Sequence, residues 1–286
     1  MAIIETTRCT VRYSEGTPFA REALNEVSVA VEEGDFLGII GHTGSGKSTF
    51  VQLLNGLLKP TEGTVLLDGE DIWKQPKDIR RVRFQVGLVF QYPEHQLFEE
   101  TVYKDIAFGP KNCGLSDDEI ARRVYEAAEI VGLKKELLNK SPFELSGGEK
   151  RRAAIAGVMA MQPRVLILDE PTAGLDPRGR EQLLTQIRAY KEKHGTTVLL
   201  VSHSMEDVAK VADHVLVLAD GKVKYYGDTA EIFRKTKELE SVGLSVPAVA
   251  KVAARLRDSG VALPESIYTL EQMKQALLPL LKGGNG

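Results

Sequence analysis

Cysteine is scarce in this 286-residue sequence: only Cys9 and Cys113 occur. Two thiols cannot build a disulfide framework, and their rarity suits a reducing interior. No apolar run approaches the roughly 18 residues that a membrane-spanning helix needs. The first residues also lack the charged, apolar and small-residue succession of a secretory signal. An excess of one charge is missing too. The 37 basic and 40 acidic side chains leave a net charge of −3, so no global attraction for nucleic acid is expected. Internal repeats are absent, which predicts one copy of the principal domain per chain. What is present, 43% hydrophobic and 27% charged residues, is the balance of a soluble globular protein long enough for a large core.

Glycine is where the chemistry begins. Gly41-His42-Thr43-Gly44-Ser45-Gly46-Lys47-Ser48 fits G-x-x-x-x-G-K-[ST]. The apolar stretch Phe36-Leu37-Gly38-Ile39-Ile40 before it reads as a buried parallel strand. A helix is expected from Lys47 to about residue 57, with its positive dipole end toward an anion. Glycines let backbone N–H groups turn inward around phosphate oxygens, as bulkier residues would not. Lys47 would reach the β- and γ-phosphates, and the Ser48 hydroxyl would ligate Mg²⁺.

A second apolar strand, Val165-Leu166-Ile167-Leu168, ends in Asp169 and Glu170. Carboxylates at the C-terminal end of such a strand lie where open α/β sheets bind ligands. Taken alone, the segment could be a strand ending in a charged turn. Beside a phosphate loop, Asp169 suits a Mg²⁺ contact through water and Glu170 suits polarisation of an attacking water. Gln91 and His203 follow further strand-like runs, 86–90 and 198–202, and Tyr13 lies in an alternating N-terminal segment. Each could be an ordinary loop or packing residue in isolation.

Leu145-Ser146-Gly147-Gly148-Glu149 is another glycine-rich helix start, without a lysine of its own. A helix beginning at Glu149 and reaching about residue 161 would offer unpaired N–H donors to an anion. One chain thus carries a complete phosphate site and an apparent half-site. That asymmetry points to ATP shared between two copies of the fold. Next in sequence, Lys150-Arg151-Arg152 reads most simply as a solvated helix face.

In these segments, over about residues 3–235, the chain resembles the ATP-binding cassette (ABC) ATPases. Residues 41–48 match Walker A, 165–170 Walker B and 145–149 the signature. Gln91 fills the Q-loop position, Ala173-Gly174-Leu175-Asp176 the D-loop, and His203 the switch histidine. The resemblance implies an α/β fold: an ABC-type P-loop NTPase with a mixed core sheet, an N-terminal antiparallel β subdomain and a helical signature subdomain. It implies a cassette over 1–235, its helical part at about 92–162, and a small helical extension at 236–286.

By the same resemblance, Tyr13 stacks on adenine, and nucleotide is held by the 41–48 loop, Thr49 and Gln91. Ser48, Gln91 and Asp169 would hold Mg²⁺, while Glu170 and His203 serve catalysis. Leu145, Ser146, Gly147, Gly148 and Glu149 would close over ATP on an opposing ATPase subunit, near Asp176, in a head-to-tail dimer. Glu149 departs from the family's usual glutamine, which touches its side-chain contact but not the backbone anion site.

The segment from Gln91 to Phe98 is similar to that of energy-coupling factor (ECF) transporter ATPases, which power uptake of vitamins and transition-metal ions. Pro93, Glu94, Gln96 and Phe98, with Thr101-Val102 and Ala107-Phe108-Gly109 downstream, carry the likeness. It implies that Pro93, Glu94, Gln96 and Phe98 meet a transmembrane coupling subunit, and that the chain sits peripherally on the cytoplasmic face of the membrane. Of the two ATPase types in many such complexes, Tyr-Pro-Glu-His favours the second; a cobalt- or nickel-uptake homodimer stays open. The transported solute is not legible here. Helices are expected at 101–108, 116–131 and 149–161, then at 247–257 and 270–281, with a frayed end at 283–286. The tail would either cap the cassette or mediate self-association.

Overall fold

The computed structural model describes residues 1–283. In chain order it begins with β1 (Ala2–Tyr13), β2 (Arg21–Glu32), β3 (Phe36–Ile40), α1 (Lys47–Leu54), β4 (Glu62–Leu67), β5 (Glu70–Asp71), α2 (Ile79–Gln85) and β6 (Val86–Val89). Helices α3 (Val102–Asn112), α4 (Asp117–Ile130) and α5 (Gly147–Met159) follow. Then come β7 (Val165–Asp169), α6 (Pro177–His194), β8 (Thr197–Val201), α7 (Met205–Val211), β9 (His214–Ala219) and β10 (Lys222–Asp228). The chain closes with α8 (Thr229–Arg234), α9 (Thr236–Ser241), α10 (Ala248–Asp258) and α11 (Leu270–Gly283).

Two sheets result. The outer one runs β2-β1-β4-β5 and is antiparallel throughout. In β2, Val27, Val29 and Val31 are buried while Ser28, Ala30 and Glu32 are exposed, the period-two pattern of a strand with one wet face. The core sheet runs β10-β9-β3-β8-β7-β6, parallel except for the β9–β10 edge. Strands β3, β7 and β8 are buried along their whole length, as strands covered on both faces must be.

Alternation divides those strands between two cores. Leu37, Ile39, Ile167, Leu199 and Val201 pack with α1 and the outer sheet. Phe36, Leu166, Leu168, Val198 and Leu200 pack with Val124, Ala153, Ile187 and Tyr190 of the helical side. Each such aliphatic side chain contributes about 1.5–3 kcal/mol when fully buried. The mixed core sheet, the outer antiparallel sheet and the helical signature region expected from the sequence are therefore present.

Some boundaries differ. Helix α1 stops at Leu54, short of residue 57, because the Asn55 amide donates to the Val86 carbonyl and Gly56 turns to φ 68. Helix α5 starts at Gly147 rather than Glu149, since Ser146 caps it. Helices α2, α8 and α9 were not foreseen; they are six or seven residues long, too short for a clear periodic signal. The helix starts expected near 101 and 116 are capped by Thr101 and Ser116, whose hydroxyls accept from the amides of Lys104 and Glu119 at 3.2 and 3.4 Å.

The boundary at 235 falls at Lys235, between α8 and α9. Packing runs across it: Ile232, Phe233, Leu239, Leu244, Val246 and Ala250 share one cluster with Ile40, Met205 and Val215. The last part of the extension has a small cluster of its own, Ala253, Leu263, Ile267 and Met273. Of the expected frayed end, Gly283 closes α11, and residues 284–286 lie outside the described residues. Among the described residues, no helix is long and apolar enough to cross a membrane.

Candidate nucleotide site

Four of the sequence-marked segments lie just past the C-terminal ends of parallel strands: 41–48 after β3, Gln91 after β6, Glu170 after β7 and His203 after β8. This is the end of an open parallel sheet where ligands bind. The 41–48 loop is tightly constrained. Gly46 caps α1 at φ 102, and a Cβ there would lie 2.6 Å from the Ala23 carbonyl oxygen. The turn between β9 and β10 braces the loop, because the Gly221 amide donates to the Ser45 carbonyl at 3.1 Å. His42 Nε2 stands 3.5 Å from Asp220 in the same turn.

Lys47 is buried, and its ammonium donates to the carbonyls of Gly41 at 2.7 Å and His42 at 3.1 Å. Burial lowers its pKa, with Glu170 and Asp169 pulling the other way. A cleft of about 220 Å³ is lined by Tyr13, Arg21, Ala23, Gly44, Gly46, Lys47, Ser48 and Thr49. Tyr13 is fixed there by its hydroxyl, 3.2 Å from Thr49 Oγ1. Arg21 and Ala23 were missed by sequence reasoning. Arg21 occupies one more exposed position in an alternating strand, so nothing marked it.

Two buried carboxylates meet this loop. Burial raises the Asp169 pKa, opposed by the Ser48 hydroxyl, Lys47 and His203. Glu170 is pushed up to about 7, first by burial and further by Asp169 and Asp207, against the His203 amide and Lys47. Its backbone has φ 53, a costly value outside glycine. The His203 amide donates to Glu170 Oε2 at 3.4 Å, and His203 Nε2 stands 3.3 Å from Oε1 without an aligned hydrogen bond. Burial and Lys47 lower the His203 pKa, favouring neutral imidazole. Lys47, Ser48, Asp169, Glu170 and His203 are thus brought into one neighbourhood. Gln91 is exposed at its expected place after β6.

The signature lies apart. Helix α5 packs on α3, α4, the turn at Pro93–Gln96 and β6, whereas α1 packs on β1, β2, β6 and β7, so only β6 is common to both. Ser146 and Glu149 form a capping box: Glu149 Oε2 accepts from the Ser146 amide at 2.9 Å and hydroxyl at 2.7 Å. Those hydrogen bonds hold the Glu149 carboxyl below its ordinary pKa. Ser146 and Gly147 are exposed, Gly148 partly so. Leu145 corrects the expectation of a nucleotide contact: it is 5% exposed, within the helical core, and anchors the segment instead. Asp176 caps α6, accepting from the Gly179 amide at 2.8 Å.

Two further expectations need correction. Arg151 is not a solvated charge; it is buried and paired with Glu94. Glu94 is consequently turned inward, and Pro93 is buried, against the expected contact of either with a membrane partner, and neither lines the outer groove beside this turn. Gln96 and Phe98 do line it. This groove of about 450 Å³ also includes Arg80, Arg83, Phe84 and Phe108. Phe98 is 59% exposed and meets Phe108 edge-on at 4.9 Å.

The profile of the ABC transporter family matches residues 24–173. The chain belongs to that family. Similar ABC proteins include the energy-coupling factor transporter ATP-binding protein EcfA2 of Caldanaerobacter subterraneus subsp. tengcongensis, 54% identical over 95% of each chain. The protein of the same name from Clostridium perfringens is 53% identical over 96% of each. Among solved ABC structures, cbiO1 from Clostridium perfringens, part of the ABC transporter complex cbiONQ, gives a TM-score of 0.75 at 36% identity. That likeness covers 90% of this chain and 99% of cbiO1. A dimeric cassette, MJ0796, in a post-hydrolysis state bound to ADP and Pi gives 0.73 at 28% identity, covering 79% and 98%. The chain is an ABC ATPase with the fold of these cassettes.

Proposed function

We propose that this chain is the ATP-binding and hydrolysing subunit of an energy-coupling factor importer, working beneath separate transmembrane subunits on the cytoplasmic face. The convergence of Lys47, Asp169, Glu170 and His203 at the sheet's C-terminal end, with the signature held apart on α5, carries this reading. The 41–48 loop and Lys47 hold the triphosphate, with Tyr13 and Arg21 at the base and sugar end of the cleft. Ser48, Asp169 and Gln91 are all oxygen donors, a hard set that fits Mg²⁺. The ion would neutralise phosphate charge. Glu170 orients the water, and neutral His203 donates to the transferring phosphoryl group. Ser146, Gly147 and Gly148 act on ATP held by an opposing cassette, and Asp176 lies near that junction. The higher identity to the EcfA2 proteins than to cbiO1 favours the second ATPase type of such importers.

The carboxylate form of Glu170 is the active one. Its share of turnover is therefore present above about pH 7 and lost as pH falls through that value. Steady-state phosphate release measured between about pH 6 and 8 checks this; a flat profile excludes the assignment. Phe98→Ser should release the membrane subunits during copurification while the isolated chain still binds ATP. Retention of those subunits at the parent level would move the docking surface elsewhere.

A further inference from the structure

Arg151 is 5% exposed, whereas Lys150 and Arg152 beside it are only partly covered. Its Nε donates to Glu94 Oε2 at 3.1 Å and its Nη2 to Glu94 Oε1 at 2.9 Å, a parallel fork. Its Nη1 donates to the Ala173 carbonyl. Burial raises the Glu94 pKa, but the guanidinium outweighs it and holds the carboxyl below its ordinary range. One guanidinium thus joins three segments remote in sequence, and each leads to a working part. Arg151 sits in the first turns of α5, just after Ser146. Glu94 lies on the turn Pro93–Gln96, between Gln91 and groove-lining Phe98. Ala173 lies midway between Glu170 and Asp176, its amide bonded to the Glu170 carbonyl at 3.2 Å.

We propose that Arg151 is a positioning residue that makes the signature helix, the Gln91 turn and the Glu170–Asp176 loop move as one unit. Engagement of Ser146 by ATP on the opposing cassette would then reset Glu170 and the Phe98 groove together. This rests on the ABC ATPase reading above. The link has little slack, because Pro93 is buried and Thr172 Oγ1 donates to Asp207 at 3.0 Å beside Ala173. A lysine keeps the charge but cannot span both Glu94 oxygens and the carbonyl with one planar fork.

The test uses the complex of this chain with its companion ATPase and membrane subunits, in four forms: parent, Arg151→Lys, Glu94→Gln, and the double variant Glu94→Gln/Arg151→Met. Removing both charges together spares the fold the burial of a lone ion. We expect the double variant to melt near the parent temperature and the isolated variant chain to bind ATP normally. The assembled complex should lose about 10-fold or more in kcat with KM little changed. In a Glu170→Gln background, ATP should alter amide hydrogen exchange over residues 93–98 in the parent but not in the double variant. Arg151→Lys should lower kcat in the same direction. The proposal is overturned if a folded variant keeps parent kcat, or keeps ATP-dependent exchange over 93–98. Should the double variant not fold, Arg151→Lys and Glu94→Gln decide by the same two readouts. Failure of the parent chain itself to bind ATP would sink the ATPase reading instead, so the two failures are distinguishable.

Discussion

Glu170→Gln lowers ATP turnover by about 10²–10⁴-fold while ATP binding persists, the range expected for loss of a positioned general base. The carboxylate is buried at the end of β7, fixed by the His203 amide and by its own left-handed backbone. Glutamine has the same shape, so the phosphate loop, Lys47 and Asp169 keep their places. What disappears is the charge that, in the proposed function, orients water. The sign for stability runs opposite to that for activity. The folded-state pKa of Glu170 is raised to about 7, so its stabilising contribution is complete below the ordinary carboxylate range and lost as pH rises toward 7. Above about pH 7 the glutamine variant is accordingly as stable as the parent or more so. Single-turnover phosphate release, equilibrium ATP binding and thermal unfolding at about pH 8 check the three parts. Parent-like turnover would remove Glu170 from its role.

Lys47→Ala weakens ATP binding by about 10–100-fold, which corresponds to one charge-assisted contact of about 1.5–3 kcal/mol. The ammonium is already seated on the Gly41 and His42 carbonyls, so little ordering is left to lose when a triphosphate arrives. Arginine should not rescue it, because a planar fork does not fit a two-carbonyl seat built for a compact cation. Calorimetric titration with ATP measures the effect, and unfolding of the same sample separates affinity from fold. Unchanged affinity would contradict the phosphate assignment for the whole 41–48 loop.

The residues that correct the sequence reading share one physical feature: their environment is set by a distant segment. Arg151 follows a glycine-rich helix start among other basic residues, and nothing local distinguishes it from Lys150. Its partner Glu94 is 57 positions away. Leu145 belongs to a motif whose neighbours face outward, yet its own side chain completes the helical core. Arg21 is one exposed strand residue among several, and only the fold of the β1–β2 hairpin beside the start of α1 puts it at the cleft. Elements with a strong local signal fared better. The continuous apolar runs of β3, β7 and β8 and the helices starting near residues 101 and 116 were legible because burial on two faces and helix-initiating side chains leave marks at short range.

By itself the sequence marked the residues of the proposed site: a glycine loop closed by Lys47 and Ser48, two acids at a strand end, and a second glycine-rich start on another helix. Backbone freedom and charge at fixed spacing are local properties, and they constrain composition directly. Tertiary structure alone decided how those parts are joined. Which arginine is buried, which acid faces inward, and how packing crosses residue 235 depend on contacts between segments far apart in the chain. Such contacts arise only when separate faces are pressed together to exclude water, and no short window of residues records them.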